Sequence, residues 1–155
     1  MIFVTVGGMH AFERLIREMD RIAGELDEQV MMQIGSTSYE PQNCNYFRFM
    51  PRNDIEELYA GARVIVCHAG TGSILTALKY NKQLILVPRM KKYGEHIDDH
   101  QLEIAREMES RGITVVYDIG NLKAAIMNLN TSLLKFSAGR DLAGALKEYL
   151  DQLDR

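Results

Sequence analysis

The sequence predicts an α/β domain in which a parallel sheet is covered by helices on both faces. Two observations lead there. Apolar runs of strand length alternate with longer segments of helical period along the chain. Glycines, prolines or polar turns close most of the strands. At 155 residues the chain is long enough for one such domain with a substantial core.

The elements follow in order. Ile2 to Val6 is the first strand, stopped by Gly7 and Gly8. Phe12, Leu15, Ile16, Met19, Ile22 and Ala23 recur at helical spacing, which predicts a helix from about Ala11 to Leu26. Val30 to Ile34 is a second strand, closed by Gly35 and Ser36-Thr37-Ser38. Tyr46 to Phe49 is a short third strand before Pro51, and Asp54 is placed to cap a short helix through Tyr59. Val64 to Cys67 is a buried strand, turned by His68-Ala69-Gly70-Thr71-Gly72-Ser73 into a helix from about Ser73 to Tyr80. Leu84 to Val87 is another strand, halted by Pro88. A charged loop leads to a helix from about Ile97 to Ser110, ended by Gly112. Ile113 to Tyr117 is the last strand, and the remainder reads as helix, Leu122 to Leu129 and Leu142 to Leu153, with a break at Gly139. Their apolar faces fit either the domain itself or a partner. This order is that of a parallel sheet, and right-handed crossovers make it a doubly wound, Rossmann-like fold. With no internal repeat, low-complexity tract or linker, residues 1–155 read as a single domain.

Composition excludes several classes. A formal net charge of -3 argues against a nucleic-acid binder, which carries a basic patch or stripe. Cys44 and Cys67 are too few for a disulfide framework or a zinc site, and Cys67 lies in an apolar run as a small buried thiol. A reducing cytoplasm fits. The opening Met1-Ile-Phe-Val-Thr-Val has no basic segment before it and reads as a strand, not a signal peptide. No apolar stretch reaches the roughly 18 residues of a membrane span, so any membrane connection is expected to be peripheral or through a partner.

Ligands of an open α/β sheet bind beyond the carboxyl ends of its strands, and three loops there carry unusual residues. Gly7-Gly8-Met9-His10 lets backbone amides approach a ligand before a helix N-terminus that favours an anion; a tight turn without a ligand accounts for it equally well. His68-Ala69-Gly70-Thr71-Gly72-Ser73 sets two glycines and two hydroxyls at a helix start, a cradle for a pyrophosphate. The plainer alternative is a glycine-rich turn capped by Thr71 or Ser73. The third loop, Pro88 to Gln101, holds Arg89, Lys91, Lys92, Glu95, His96, Asp98, Asp99, His100 and Gln101. Such a density of donors and acceptors suits sugar hydroxyls, with a solvated charged loop as the alternative. A metal is not expected, because adjacent residues at a helix start point in different directions.

Together these residues resemble the C-terminal domain of glycosyltransferase family 28. The likeness rests on Ile2-Phe-Val-Thr-Val-Gly-Gly with Phe12 and Leu15-Ile16, on Val66-Cys-His-Ala-Gly-Thr-Gly-Ser-Ile-Leu, on Leu86-Val-Pro-Arg, and on Gly94-Glu-His-Ile-Asp-Asp-His-Gln-Leu-Glu-Ile-Ala. It is strongest to the short catalytic subunits of two-component transferases, which serve dolichol-linked saccharides in eukaryotes and exopolysaccharide synthesis in bacteria. The resemblance implies a donor domain, one half of a GT-B fold, that binds a UDP-sugar such as UDP-N-acetylglucosamine. It implies that Gly7 and Gly8 lie near the donor phosphates and that the Met50 backbone contacts uracil. His68, Gly70, Thr71, Gly72 and Ser73 would bind the diphosphate, and Asp99, His100 and Gln101 the sugar hydroxyls, with Glu95 of the same loop as a further donor-binding candidate. Two positions depart from the family. Thr76 stands where larger members carry a glutamate for the ribose hydroxyls, and Gly8-Met9 stands where many have Gly-Thr.

A GT-B enzyme closes two such domains around a cleft, and this chain fills one. The expected partner is a membrane-anchored subunit that binds the acceptor, a saccharide on a polyisoprenyl diphosphate, which would place the chain at the cytoplasmic membrane face. A homo-oligomer is a further possibility. The expected chemistry is one inverting displacement, without a metal or other cofactor, and His10 is the local candidate for general base. The rival is a non-catalytic nucleotide-sugar-binding or regulatory module, which Thr76 favours. A nicotinamide-dependent enzyme lacks its glycine fingerprint here.

Overall fold

The computed structural model describes residues 1–129 and 136–153. Six strands form one all-parallel sheet: β1 (Ile2–Thr5), β2 (Val30–Gln33), β3 (Asn45–Phe47), β4 (Val64–His68), β5 (Gln83–Val87) and β6 (Thr114–Val115). Their order, β3-β2-β1-β4-β5-β6, is that of the doubly wound fold, in which the chain reverses direction across the sheet between β1 and β4. The register sets Thr5 beside both Gln33 and Cys67, so the loops after β1 and β4 emerge side by side.

Among the described residues six α-helices flank the sheet: α1 (Glu13–Ala23), α2 (Arg52–Gly61), α3 (Thr71–Lys79), α4 (His100–Ser110), α5 (Leu122–Met127) and α6 (Phe136–Leu153). Successive strand residues point to opposite faces, and the core divides accordingly. Ile2, Val4, Val66 and Ile85 meet Leu15, Ile16 and Met19 of α1 and Leu122 and Ile126 of α5 on one face. Phe3, Ile65, Cys67 and Leu86 meet Ile74 of α3, Ile104 and Met108 of α4 and Leu146 of α6 on the other. Burial of both faces is why the strands read as continuous apolar runs. Cys67 is fully buried, and burial pushes its thiol pKa up. The sheet thus has the predicted class and element order, and Leu122 and Ile126 of α5 and Leu146 of α6 pack onto this domain.

Several boundaries differ from those expected, each for a local reason. The first helix starts at Glu13, after a non-helical Phe12, and ends at Ala23. The third strand is Asn45–Phe47, not Tyr46 to Phe49. Arg52 opens α2 directly after Pro51, leaving Asp54 in the first turn, where its charge favours the helix pole. Neither Thr71 nor Ser73 caps α3, because Gly70 is the capping residue and makes no side-chain bond. Residues 97–99 are not helical: the Asp98 carboxylate accepts the His100 amide in an Asx turn, and α4 starts only at His100. The last strand shrinks to Thr114–Val115 at the sheet edge. Gly139 does not break α6, consistent with the roughly 1 kcal/mol that one glycine costs a helix.

Candidate active site

The loops after β1 and β4 meet at a buried polar cluster. Arg89, just past β5, is among the largest fully buried side chains, at 1% exposure. Its guanidinium donates to the Val6 carbonyl at 2.8 Å, the His10 carbonyl at 2.7 Å and the Ala11 carbonyl at 3.3 Å, so it gathers the β1–α1 loop around one cation. The guanidinium also lies 5.0 Å from the centre of the Phe12 ring. Among the described residues no carboxylate forms an ion pair with it. Burial pushes its pKa down to about 10, opposed by the charge of Glu95.

Arg89 also donates to His68 Nδ1 at 2.8 Å. Gln101 joins the same cluster: its Oε1 accepts the Arg89 amide at 3.0 Å, which fixes the carboxamide orientation, and its Nε2 then donates to His68 Nδ1 at 3.1 Å. A guanidinium and an amide N–H are donors only, so Nδ1 is an acceptor and a neutral His68 carries its proton on Nε2. That nitrogen lies 3.0 Å from Ser73 Oγ in the first turn of α3. Burial, then the Arg89 charge, pushes the His68 pKa down to about 3, so the ring is neutral at ordinary pH.

The glycines differ in what surrounds them. A Cβ on Gly70 would fall 2.1 Å from His68 Cε1, so nothing larger than hydrogen fits there. Gly7 has φ +73°, and a Cβ there would meet His68 Nε2 at 2.9 Å. A Cβ on Gly8 or Gly72 would meet nothing within 4 Å.

In front of this cluster lies an open cavity of about 330 Å³ at the carboxyl edge of the sheet. Gly7 and Gly8 line it from the β1 loop, Met50 and Phe49 from the segment after β3, and Gly72, Ser73 and Thr76 from α3. Six of the expected donor-binding residues therefore share one space. His68 and Gly70 stand behind it, and Thr71 opens α3 beside it. The Thr76 hydroxyl donates back to the Gly72 carbonyl at 2.8 Å.

The third loop stands apart from this cavity. Glu95 is a strut: it pairs with Arg14 of α1 at 2.9 Å and accepts the Met90 amide at 3.0 Å. Asp99 is exposed and accepts the Lys91 amide. His100 is exposed at the start of α4. The exposed His10 ring packs edge-on against His96 at 5.5 Å, and His96 in turn bonds Asp98. Gln101 is 7% exposed, with its carbonyl and one amide N–H already engaged in the buried cluster. Among the described residues no group of histidine, cysteine and carboxylate side chains is arranged to hold a metal. No helix among them is long and apolar enough to cross a membrane.

Residues outside the expected donor-binding set also shape the site. Arg89 is the chief one: the sequence marked it within the polar third loop and the Leu86-Val-Pro-Arg motif, but assigned it no role in the site. Arg52 and Glu56, one helical turn apart on α2, line the cavity opposite Thr76. Thr5 and Gln33 form its floor, joined by a 2.6 Å hydrogen bond.

This fold and edge site define the class of protein. Residues 1–148 match the glycosyltransferase family 28 C-terminal domain, and the chain belongs to that family. Its doubly wound sheet corresponds to one half of a GT-B fold. Among named relatives it is similar to the UDP-N-acetylglucosamine transferase subunit ALG13 of Candida albicans, 30% identical over 61% of this chain and 31% of that protein. It is also similar to the subunit of the same name from Yarrowia lipolytica, 28% identical over 83% of this chain and 72% of that protein. The chain thus spans under a third of the first relative and about three quarters of the second. Among solved structures, the glycotransferase of kitacinnamycin superposes with a TM-score of 0.67 at 18% identity, over 95% of this chain and 39% of that one. A solution structure of ALG13 gives 0.58 at 20% identity, over 87% and 88%. At these identities the two structures speak for the fold alone.

Proposed function

We propose that the chain is the donor-binding catalytic subunit of a two-component inverting glycosyltransferase. It moves a hexose or N-acetylhexosamine from a UDP-sugar to a lipid-linked saccharide. The observation that carries this reading is the shared cavity of Gly7, Gly8, Met50, Gly72, Ser73 and Thr76 at the sheet's carboxyl edge. The family, and the name of the two relatives, favour UDP-N-acetylglucosamine as donor. Their designation as subunits favours a separate acceptor-binding partner, which we place at the membrane, with this chain peripheral to its cytoplasmic face.

In this reading the uracil lies by Met50 and the diphosphate by the Gly7-Gly8 amides and the first turn of α3. The orphan amides of that turn point at the diphosphate and the helix dipole favours its charge. As the anomeric bond breaks, negative charge grows on the departing UDP, and these fixed donors stabilise it without reorganising. The buried Arg89 cation adds positive potential from behind. The reading calls for no metal. The acceptor hydroxyl attacks from the face opposite UDP, and its proton passes to His10, exposed just after the Gly7-Gly8 turn, or to a base of the partner. Asp99 and His100 are exposed at the same edge, where a sugar would extend.

Calorimetry of the purified chain with UDP and UDP-N-acetylglucosamine, with and without magnesium, tests the reading. Metal-independent binding that Gly72→Leu weakens at least about tenfold supports it; folded chain with no affinity for either overturns it. The second reading, a non-catalytic binding module, draws on Thr76, whose hydroxyl is spent on its own helix and which brings no carboxylate to the ribose. His10→Ala separates the two when turnover is assayed with membranes as the source of acceptor and partner. An enzyme with His10 as base keeps its donor affinity and loses about a hundredfold or more in turnover, whereas a module shows no turnover in either form.

A further inference from the structure

The buried cluster behind the cavity carries more hydrogen-bonding order than a scaffold requires. His68 Nδ1 receives two donors, Arg89 at 2.8 Å and Gln101 at 3.1 Å. Neither can reverse its role: Arg89 has no acceptor atom, and the Gln101 carbonyl is held by the Arg89 amide at 3.0 Å. The His68 proton therefore sits on Nε2, aimed at Ser73 Oγ 3.0 Å away. A hydroxyl that accepts there keeps its own O–H for another partner. Ser73 lines the open cavity, beside Gly7, Gly8 and Gly72.

We propose that Arg89 and Gln101 are positioning residues: through His68 they hold the Ser73 hydroxyl as a hydrogen-bond donor to an anionic oxygen of the ligand in the cavity. The reverse tautomer would place a bare Nε2 beside Ser73, draw the hydroxyl proton back to the ring, and present a lone pair to the anion. The difference is one between attraction and repulsion at the same atom. The identity of the anion, a nucleoside diphosphate, rests on the donor reading above; the hydrogen-bond chain does not. Gln101 thereby gains a task at the site that needs no contact with the sugar.

Two measurements on the full chain test this. With 15N-labelled histidine, a long-range proton–nitrogen correlation reports which nitrogen of His68 is protonated, His68→Asn supplying the assignment. The expected spectrum is the Nε2–H form without ligand from about pH 8 down to about pH 4. An Nδ1–H ring or an imidazolium in that range overturns the proposal. The second measurement is a mutant cycle read by affinity for UDP and for uridine. Ser73→Ala is expected to weaken UDP roughly tenfold to a hundredfold, the value of a hydrogen bond to a charged group, and to leave uridine unchanged. Gln101→Leu is expected to weaken UDP by less and to add nothing to Ser73→Ala. Additive losses mean Gln101 acts by another route and overturn the proposal. Where Gln101→Leu does not fold, Gln101→Asn replaces it. Binding of inorganic pyrophosphate without UDP overturns the donor reading alone, and the cycle is then run with pyrophosphate; binding of neither overturns both.

Discussion

The loops that leave β4 and β5 meet at the same edge of the sheet and are built in opposite ways. The β4 loop, His68 to Ser73, is fixed by buried polar partners: His68 fills the space beside Gly7 and Gly70 and is itself held on both nitrogens. The β5 loop splits after its first residues. Arg89 is buried, but Tyr93, Ile97, Asp99 and His100 stand exposed, tied down by local turns and by the Glu95–Arg14 pair. One loop is tied by buried side-chain bonds before a ligand arrives. The other presents most of its polar side chains to solvent. A diphosphate needs fixed donors and a variable sugar needs adaptable ones, so the contrast matches the division of labour expected at a nucleotide-sugar site.

The largest effect should come from removing the cation that organises the fixed loop. Arg89→Met leaves the buried Val6 carbonyl and the partly buried His10 and Ala11 carbonyls short of a donor, with Gln101 alone remaining on His68 Nδ1. Relief of a desolvated charge offsets part of this. We expect a net loss of about 3 kcal/mol, read as a shift in the urea midpoint. An unchanged midpoint would show that water reaches these carbonyls and that the cluster is not the rigid half of the comparison. Gly70→Ala follows at about 2 kcal/mol, because its Cβ would fall 2.1 Å from His68 and force the ring away. Gly72, two residues on, has open space at its Cβ, so Gly72→Leu should leave stability within about 0.5 kcal/mol while it blocks the cavity.

That pair of glycines also shows where the sequence is legible and where it is not. Alternating strand and helix periods set the fold class, because burying both sheet faces and one helix stripe leaves a pattern in composition. Gly70 and Gly72 look alike in that pattern; only the distance to His68 separates them, and that distance depends on strand register. Arg89 is hidden for a related reason. Arginine is by type a surface residue, and no local signal shows that three loop carbonyls and a histidine converge on it. Gln101 stood out in the sequence as a candidate for sugar contact, but its place in the buried cluster was not legible. Residues 97–99 misled in the other direction: Ile97 keeps helical spacing with Ile104, Ala105 and Met108, yet the Asp98 side chain competes with the helix for the His100 amide and Ile97 is left 85% exposed.

Acid should act on the fixed loop next. His68 is held to about 3 in the fold and titrates near 6.5 when free. Between those values the unfolded chain holds a proton that the folded chain lacks, so stability is full above about 6.5 and is lost as pH falls toward 3. Between pH 7 and pH 5 the loss from this one group is about 2 kcal/mol. Asp20, whose carboxyl is held below the usual range by Tyr39, Gln42 and Asn43 against the cost of burial, stays ionised in both states over that window. The clean test is urea unfolding at the two pH values with His10, His96 and His100 changed to Gln, which leaves His68 as the only histidine. A flat response would mean that His68 is solvated or charged in the fold, and the tautomer argument would go with it.

The smallest effect belongs to the adaptable loop. Ile97 and Met9 are 85% and 84% exposed and face each other's neighbourhood through the His10–His96 pair. Neither contributes to a core cluster, so Ile97→Ser and Met9→Ser should each change stability by no more than about 0.5 kcal/mol. UDP affinity should be equally indifferent, since neither residue lines the cavity. Thermal unfolding and calorimetry on the two variants check both points. A loss well above 1 kcal/mol would mean these residues are packed as the β4 loop is, and the distinction between the fixed β4 loop and the exposed part of the β5 loop would fail where it is most exposed.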